Sequence, residues 1–313
     1  MSKGIYPDIE PYRKGEFLGE GNHRIYYEES GNESGYPVIF FHGGPGGRTR
    51  PFHRRYFDPS FYRIILMDQR GCGKSAPQGN VFKNTTDHLI SDIEQLRNLL
   101  GVENWLIFGG SWGSTLALVY CLEHPERVSG LILRGVFLAR STEIEWYLKG
   151  IRSFIPEIVD SVSKGTVEDT IAYYHDRVFQ ENHDVAIKFA KQWGQYEMKI
   201  MEIGSTKPDI SADDAFSEEE FMATKIQLHY MLNQCFIDGD KVLKESRDLN
   251  KPVIIIQGRV DMVCPPVTAF ELAANLPNSD LRLIETGGHS GSQSVIAEAL
   301  RIASDEFRQL LKI

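Results

Sequence analysis

The sequence predicts an α/β fold: a mostly parallel central sheet flanked by helices, with an inserted helical cap. Three observations carry this. Short continuous apolar runs recur along the chain, as in strands buried on both faces. They alternate with stretches of helical periodicity, the pattern that lays strands parallel and covers both faces of a sheet. The alternation then stops for about a hundred residues and resumes near the end. With 313 residues, one enlarged domain or two smaller ones are both allowed. The simplest division is a core of residues 1–139 and 251–313, with residues 140–250 inserted between strands as a cap over their ends.

Taken in order, His23–Glu28 alternates weakly after Gly19–Asn22 and predicts a hairpin of edge strands. Pro37–Phe41 and Arg63–Met67 read as buried strands. The first ends in His42–Gly43–Gly44–Pro45–Gly46–Gly47, the second in Asp68–Gln69–Arg70–Gly71–Cys72–Gly73–Lys74–Ser75. Leu89, Ile93, Leu96 and Leu100 form one face of an amphipathic helix. Leu106–Phe108 is a strand entering a tight turn, and Val128–Leu133 another strand. In the insertion, Phe154, Ile158 and Val159, then Ile171, Tyr174 and Val178, mark helix faces. Pro252–Ile256 and Leu281–Ile284 are the last strands. Ile296, Leu300, Ala303, Phe307 and Leu310 outline a closing helix.

Composition narrows the function classes. A net charge of −9 argues against nucleic acid or an anionic membrane as partner. Cys72, Cys121, Cys235 and Cys264 are far apart and show no C-x-x-C spacing, so free thiols are expected and a zinc site is not. No run approaches the roughly 20 apolar residues of a spanning helix, and the first residues lack a signal-peptide core. A cytoplasmic protein is expected. Oligomeric state is left open by the sequence.

The chemistry centres on Gly109–Gly110–Ser111–Trp112–Gly113, a G-x-S-x-G turn between an apolar strand and a helix that starts with small residues. Glycines let strand and helix approach closely and leave the Ser111 hydroxyl at the apex, as in a nucleophile elbow. A serine nucleophile needs a base, an orienting acid and an oxyanion hole. Asp261 and His289 follow the ends of later predicted strands, the sheet edge where ligands bind. The order Ser, Asp, His is that of an α/β-hydrolase triad. His289 would take the serine proton and return it to the leaving group, while Asp261 would fix the imidazole tautomer. Trp112 N–H and Gly44 N–H, from the 42–47 loop, would form the oxyanion hole. A phosphate cradle at that loop lacks the G-x-x-x-x-G-K spacing. Asp68 and Arg70 read as turn-holding residues, Cys72 and Cys264 as small buried residues or neighbours of the site, and Trp112 as a pocket wall as well as a donor.

These residues resemble the prolyl aminopeptidases (proline iminopeptidases), serine exopeptidases of the α/β-hydrolase fold. The match runs from Tyr6–Pro7–Asp8–Ile9–Glu10–Pro11–Tyr12 nearly to the C-terminus. It is most specific at residues 42–47, 68–75 and 109–118 and at Gly287–Gly288–His289–Ser290. The resemblance implies Ser111, Asp261 and His289 as triad, Gly44 and Trp112 as oxyanion hole, and a small peptide with a free N-terminus as substrate. It also implies that Arg134, Phe137 and Tyr147 lie at the pocket for the first residue. Trp193–Gly194–Gln195–Tyr196–Glu197 is similar to the family's W-x-x-W-E, making Glu197 the amine-binding carboxylate. Ile226–Gln227–Leu228–His229–Tyr230 stands where the family shows I-E-x-H-Y, which brings Gln227 and Tyr230 to the substrate site and puts an amide where a second carboxylate is usual. A glutamine can accept a hydrogen bond but brings no charge, so weaker amine binding is expected.

The expectation is therefore a serine aminopeptidase without metal or cofactor that releases an N-terminal residue, preferably proline, through an acyl-enzyme. The alternative is an esterase or amidase of the same fold. A binding protein that keeps the fold without turnover is disfavoured by the complete triad, and a dehalogenase or epoxide hydrolase by serine rather than aspartate at 111.

Overall fold

The computed structural model describes residues 4–203 and 216–311. Its centre is an eight-stranded sheet: β1 (Arg13–Gly19), β2 (His23–Gly31), β3 (Tyr36–Phe41), β4 (Tyr62–Met67), β5 (Trp105–Gly110), β6 (Val128–Arg134), β7 (Val253–Gly258) and β8 (Ser279–Ile284). The strand order is β1-β2-β4-β3-β5-β6-β7-β8. β1 and β4 run antiparallel to β2, and every pairing from β4 through β3 to β8 is parallel. The parallel strands therefore present their carboxyl ends along one edge.

The period-2 alternation of side chains explains how the sheet is covered. Ile39, Phe41, Ile65, Met67, Ile107, Leu131, Leu133 and Ile255 point to one face. There they meet Leu89, Ile93 and Leu96 of α1 (Thr86–Leu99), Leu116 and Tyr120 of α2 (Trp112–Glu123) and Leu272 of the helix Pro266–Asn275. Val38, Phe40, Ile64, Leu66, Phe108, Ile132, Ile254 and Ile256 point to the other, against Tyr56, Phe57 and the closing helix Ser294–Leu310. Both faces are apolar because both are covered.

β2 departs from the expected edge hairpin. Of the hairpin's two strands, β1 lies at the sheet's edge, while β2 lies between β1 and β4 and is buried over most of its length. Its carboxylates are neutralised in place. Glu28 takes Arg54 Nε at 2.8 Å, and Glu29 takes Arg63 Nε at 2.5 Å and Arg13 Nη1 at 3.0 Å. Buried carboxylates paired this way are compatible with an interior strand.

Between β6 and β7 the described residues form helices and no strand: α3 (Ser141–Leu148), α4 (Pro156–Val162), α5 (Val167–Val178), α6 (His183–Glu202), α7 (Glu218–Leu232) and α8 (Gly239–Glu245). They gather an apolar cluster of their own around Tyr147, Tyr174, Trp193 and Tyr196. α7 serves two clusters. Phe221, Leu228 and Met231 join that one, while Ile226 and Tyr230 pack into the sheet's core. Ile171, Tyr174 and Val178 form the buried face of α5, and Val159 is buried on α4. Phe154 precedes α4 and is exposed, stacked edge-on with Trp146. Leu310 closes the Ser294–Leu310 helix from its exposed side rather than extending the buried stripe. Both sit at a helix boundary, where periodicity no longer reports a face. Among the described residues, no helix is long and apolar enough to cross a membrane.

Candidate active site

Ser111 sits between β5 and α2 with φ 55° and ψ −126°, a conformation that costs a non-glycine residue energy. It is held by contacts on both sides: its N–H donates to Arg134 O at 2.8 Å, and its carbonyl accepts from Ser114 N at 2.8 Å and Ser114 Oγ at 2.6 Å. The flanking glycines are required by space. A Cβ on Gly113 would lie 2.1 Å from Phe41 O, and one on Gly109 2.2 Å from Gly113 O. Gly113→Ala is accordingly expected to destabilise the protein by about 1–3 kcal/mol or more, read as a lowered thermal midpoint. An unchanged midpoint would show that strand and helix can separate without cost.

The loops after β7 and β8 bring Asp261 and His289 to the elbow. Asp261 Oδ2 lies 2.8 Å from His289 Nδ1, and His289 Nε2 lies 3.2 Å from Ser111 Oγ. A carboxylate only accepts, so Nδ1 carries the proton and Nε2 presents its lone pair to the serine. Asp261 is almost fully buried, and its other oxygen takes Val263 N at 3.0 Å and Cys264 N at 2.8 Å. Arg134, from the end of β6, donates to His289 O at 2.9 Å and also stands 3.3 Å from Nε2. It is thus a neighbour of the base as well as a wall of the cavity.

The loop after β3 abuts the elbow. A Cβ on Gly43 would be 3.1 Å from Ser111 Cβ. Gly44 has φ 120°, left-handed backbone that favours glycine, and is exposed to the cavity. Trp112 is the first residue of α2, so its N–H is among the donors a helix start leaves free. Its side chain does not wall the pocket. The indole is fully buried and donates to Gln69 Oε1 at 2.9 Å. Gln69 Nε2 in turn donates to His42 O at 2.9 Å. One amide therefore ties the 42–47 loop to Trp112, a role that the sequence did not single out.

A cavity of about 540 Å³ opens over Ser111, within the range of small-molecule sites. Gly44, Arg134, Phe137, Tyr147, Glu197, Gln227 and His289 all line it. Tyr230 does not. It is buried behind Trp112, ring centroids 5.2 Å apart, and its hydroxyl donates to Asn84 Oδ1 at 3.0 Å. Met231, the next residue on α7, lines the cavity, and one residue's turn of the helix, about 100°, carries the Tyr230 ring from that wall into the core. Gln227 also differs from expectation. Its Oε1 accepts from Trp193 Nε1 at 2.7 Å and its Nε2 donates to Glu197 Oε1 at 2.9 Å, so its acceptor is already engaged. Burial raises the Glu197 carboxyl above the ordinary glutamate range, and the hydrogen bond from Gln227 pulls it partly back.

Asp68 takes Thr49 N at 2.7 Å and Lys74 N at 2.9 Å, and Arg70 forks onto Asp92 at 2.5 and 2.8 Å, so both hold loops as expected. Cys72 packs in the core. Cys264 lines the cavity as a neutral thiol, since burial pushes it well above its usual range. Two further residues escaped the sequence. Gly135 (φ 55°) packs against the Asp261–His289 pair, where a Cβ would be 3.2 Å from Asp261 Oδ2. Gln257 Oε1 accepts Val136 N at 3.1 Å while its Nε2 donates to Cys264 O at 2.9 Å, bracing the Asp261 loop. A single amide or glycine carries no periodic signal, so only the fold reveals them.

Residues 36–292 match the model of a family described as alpha/beta hydrolase fold. A probable proline iminopeptidase of Leptolyngbya boryana is 42% identical, over 97% of this chain and 96% of its own length. A proline iminopeptidase of Arabidopsis thaliana is 38% identical, over 98% and 83% respectively. Among solved structures, an esterase from Exiguobacterium antarcticum superposes with a TM-score of 0.64 at 22% identity, covering 94% of this chain and 98% of the esterase, and bears on the fold alone.

Proposed function

The chain belongs to the proline iminopeptidase family within the alpha/beta-hydrolase fold, and on that premise we propose that Ser111, His289 and Asp261 release the N-terminal residue, preferably proline, of a small peptide. The observation that carries the reading is the hydrogen-bonded line from Asp261 through His289 to Ser111, opening on a cavity whose wall holds a carboxylate.

Ser111 Oγ attacks the first carbonyl while its proton passes to His289 Nε2. The oxyanion is met by the N–H groups of Gly44 and Trp112, which are fixed before the reaction begins. Imidazolium, steadied by Asp261, protonates the departing peptide amine and leaves a Ser111 ester. Water, deprotonated by the same imidazole, then frees the amino acid. Phe137 and Tyr147 enclose the first residue, and Glu197 receives its charged amine. From the 140–250 insertion, Tyr147, Glu197 and Gln227 wall the cavity, as a cap over Ser111 would. The free buried cysteines fit a cytoplasmic, reducing setting.

Hydrolysis of Pro-β-naphthylamide and its N-acetyl derivative tests this. The free-amine substrate is expected to be cut at least about tenfold faster, the worth of one charged hydrogen bond. Equal rates would discard the exopeptidase reading in favour of a general esterase or amidase.

A further inference from the structure

The cavity over Ser111 has a wall that the proposed chemistry leaves unused. Five aromatic rings line it: Phe40, Phe52, His53, Tyr56 and Phe108. They form one continuous group. Phe40 stacks on His53 at 4.2 Å and on Phe108 at 4.9 Å, Phe108 stacks on Tyr56 at 5.3 Å, and Phe52 meets Tyr56 edge-on at 5.5 Å. Phe40, Tyr56 and Phe108 are buried, whereas Phe52 and His53 are half-buried and so the most accessible of the five. The imidazole adds no charge to the wall. Burial first, then repulsion from His42, Arg50 and Arg134, pushes His53 down to about 3, and its Nδ1 accepts from Arg50 N at 3.1 Å.

This wall and the pocket for the first residue belong to opposite faces of the sheet. Phe137 packs with the cluster under α1 and α2, whereas Phe40, Phe52, Tyr56 and Phe108 pack with the cluster under the closing helix. Ser111, at the strand end, lies between the two. The wall is also tied to the imidazole. Tyr56 Oη donates at 2.9 Å to the carbonyl of Gly291, two residues after His289. A general acid must stand beside the amine that it protonates. On the exopeptidase reading, which sends the first residue toward Phe137 and Tyr147, the departing peptide is left on the side of His289 and the rings.

We propose that these rings form the leaving-group subsite and select an aromatic or large apolar second residue in the peptide. Flat, uncharged rings favour a ring stacked or edge-on against them, and covering them is favourable in proportion to the apolar area removed from water. A glycine in the second position covers none of it. The selection acts on acylation, because the leaving group has gone before water attacks the Ser111 ester. It is therefore read in kcat/KM, while hydrolysis of the ester is common to all substrates with the same first residue.

The test compares prolyl-phenylalaninamide with prolylglycinamide, following the proline released. Wild type is expected to favour the first by about tenfold or more in kcat/KM. Phe52→Ala, its fold checked by the thermal midpoint, removes an accessible ring and should cut that ratio to about twofold by slowing the phenylalaninamide substrate. Phe52→Tyr keeps a ring and should keep the preference. Equal rates of wild type on the two substrates would overturn the proposal whatever the variants do. A ratio unchanged in Phe52→Ala would overturn it as well, and so would an equal fall on both substrates, which would make the ring structural. Failure of the exopeptidase reading shows itself separately, as wild-type enzyme that releases proline from neither amide.

Discussion

Ser111→Ala is expected to lower kcat on Pro-β-naphthylamide by about 10⁴-fold or more, the scale on which serine triads lose activity with their nucleophile. The loss falls on kcat because the hydroxyl forms its decisive bond only on the way to the acyl-enzyme. The cavity wall that holds the first residue is untouched, so prolinol should still bind. Alanine meets the same backbone strain at φ 55° as serine does, and the holding bonds at Ser111 N and O are backbone groups. The thermal midpoint should therefore stay close to wild type. Steady-state kinetics and mass analysis after a fluorophosphonate probe check this together: one adduct on wild type at Ser111, none on the variant. Turnover retained by the variant, or an adduct elsewhere, would remove Ser111 from the chemistry.

The parts of the site that sequence made legible are those set by strand ends. In a parallel sheet every apolar run ends on one edge, so Ser111, Asp261 and His289 had to converge once the runs were read as strands. Glu197 and Tyr147 were reached only through resemblance, since a carboxylate on a helix otherwise reads as a solvated face. The misread residues share a physical cause. The strand holding Glu28 read as an edge strand, but arginines from distant segments answer Glu28 and Glu29 inside the sheet. Tyr230 and the Trp112 indole looked like pocket aromatics, but asparagine and glutamine side chains satisfy their polar atoms in the core. Polar residues satisfied by partners remote in sequence are invisible to periodicity, and this chain uses them to brace nearly every element around the elbow.

Glu197→Gln carries the second large expected effect. It exchanges a carboxylate for an amide of the same shape, and its Oε1 can still accept from Gln227 Nε2. The negative charge is lost, and the second carboxylate oxygen, an acceptor, becomes an NH2 donor. Removing one partner of a buried charged contact costs about 2–5 kcal/mol, so kcat/KM on Pro-β-naphthylamide is expected to fall by about 10²-fold. The amine stays bound from ground state to transition state, so the change belongs mostly to KM, and p-nitrophenyl acetate turnover should hardly move. The pH dependence gives the same answer independently. Burial raises the Glu197 carboxyl, so wild-type kcat/KM should fall off with decreasing pH above the range of an ordinary glutamate. Below that limb, wild type and variant should converge, because a protonated Glu197 is as neutral as glutamine. Stability should move the other way. A carboxyl raised in the folded state stabilises the fold below its unfolded pKa, and that contribution is lost as pH rises through the folded value. Above its raised folded value the ionised Glu197 is thus a burden to the fold, and Glu197→Gln should melt higher than wild type there, with the gap closing as pH falls. A variant that binds worse but melts higher would identify Glu197 as a residue kept for its substrate at the expense of stability; one that loses both would make it structural.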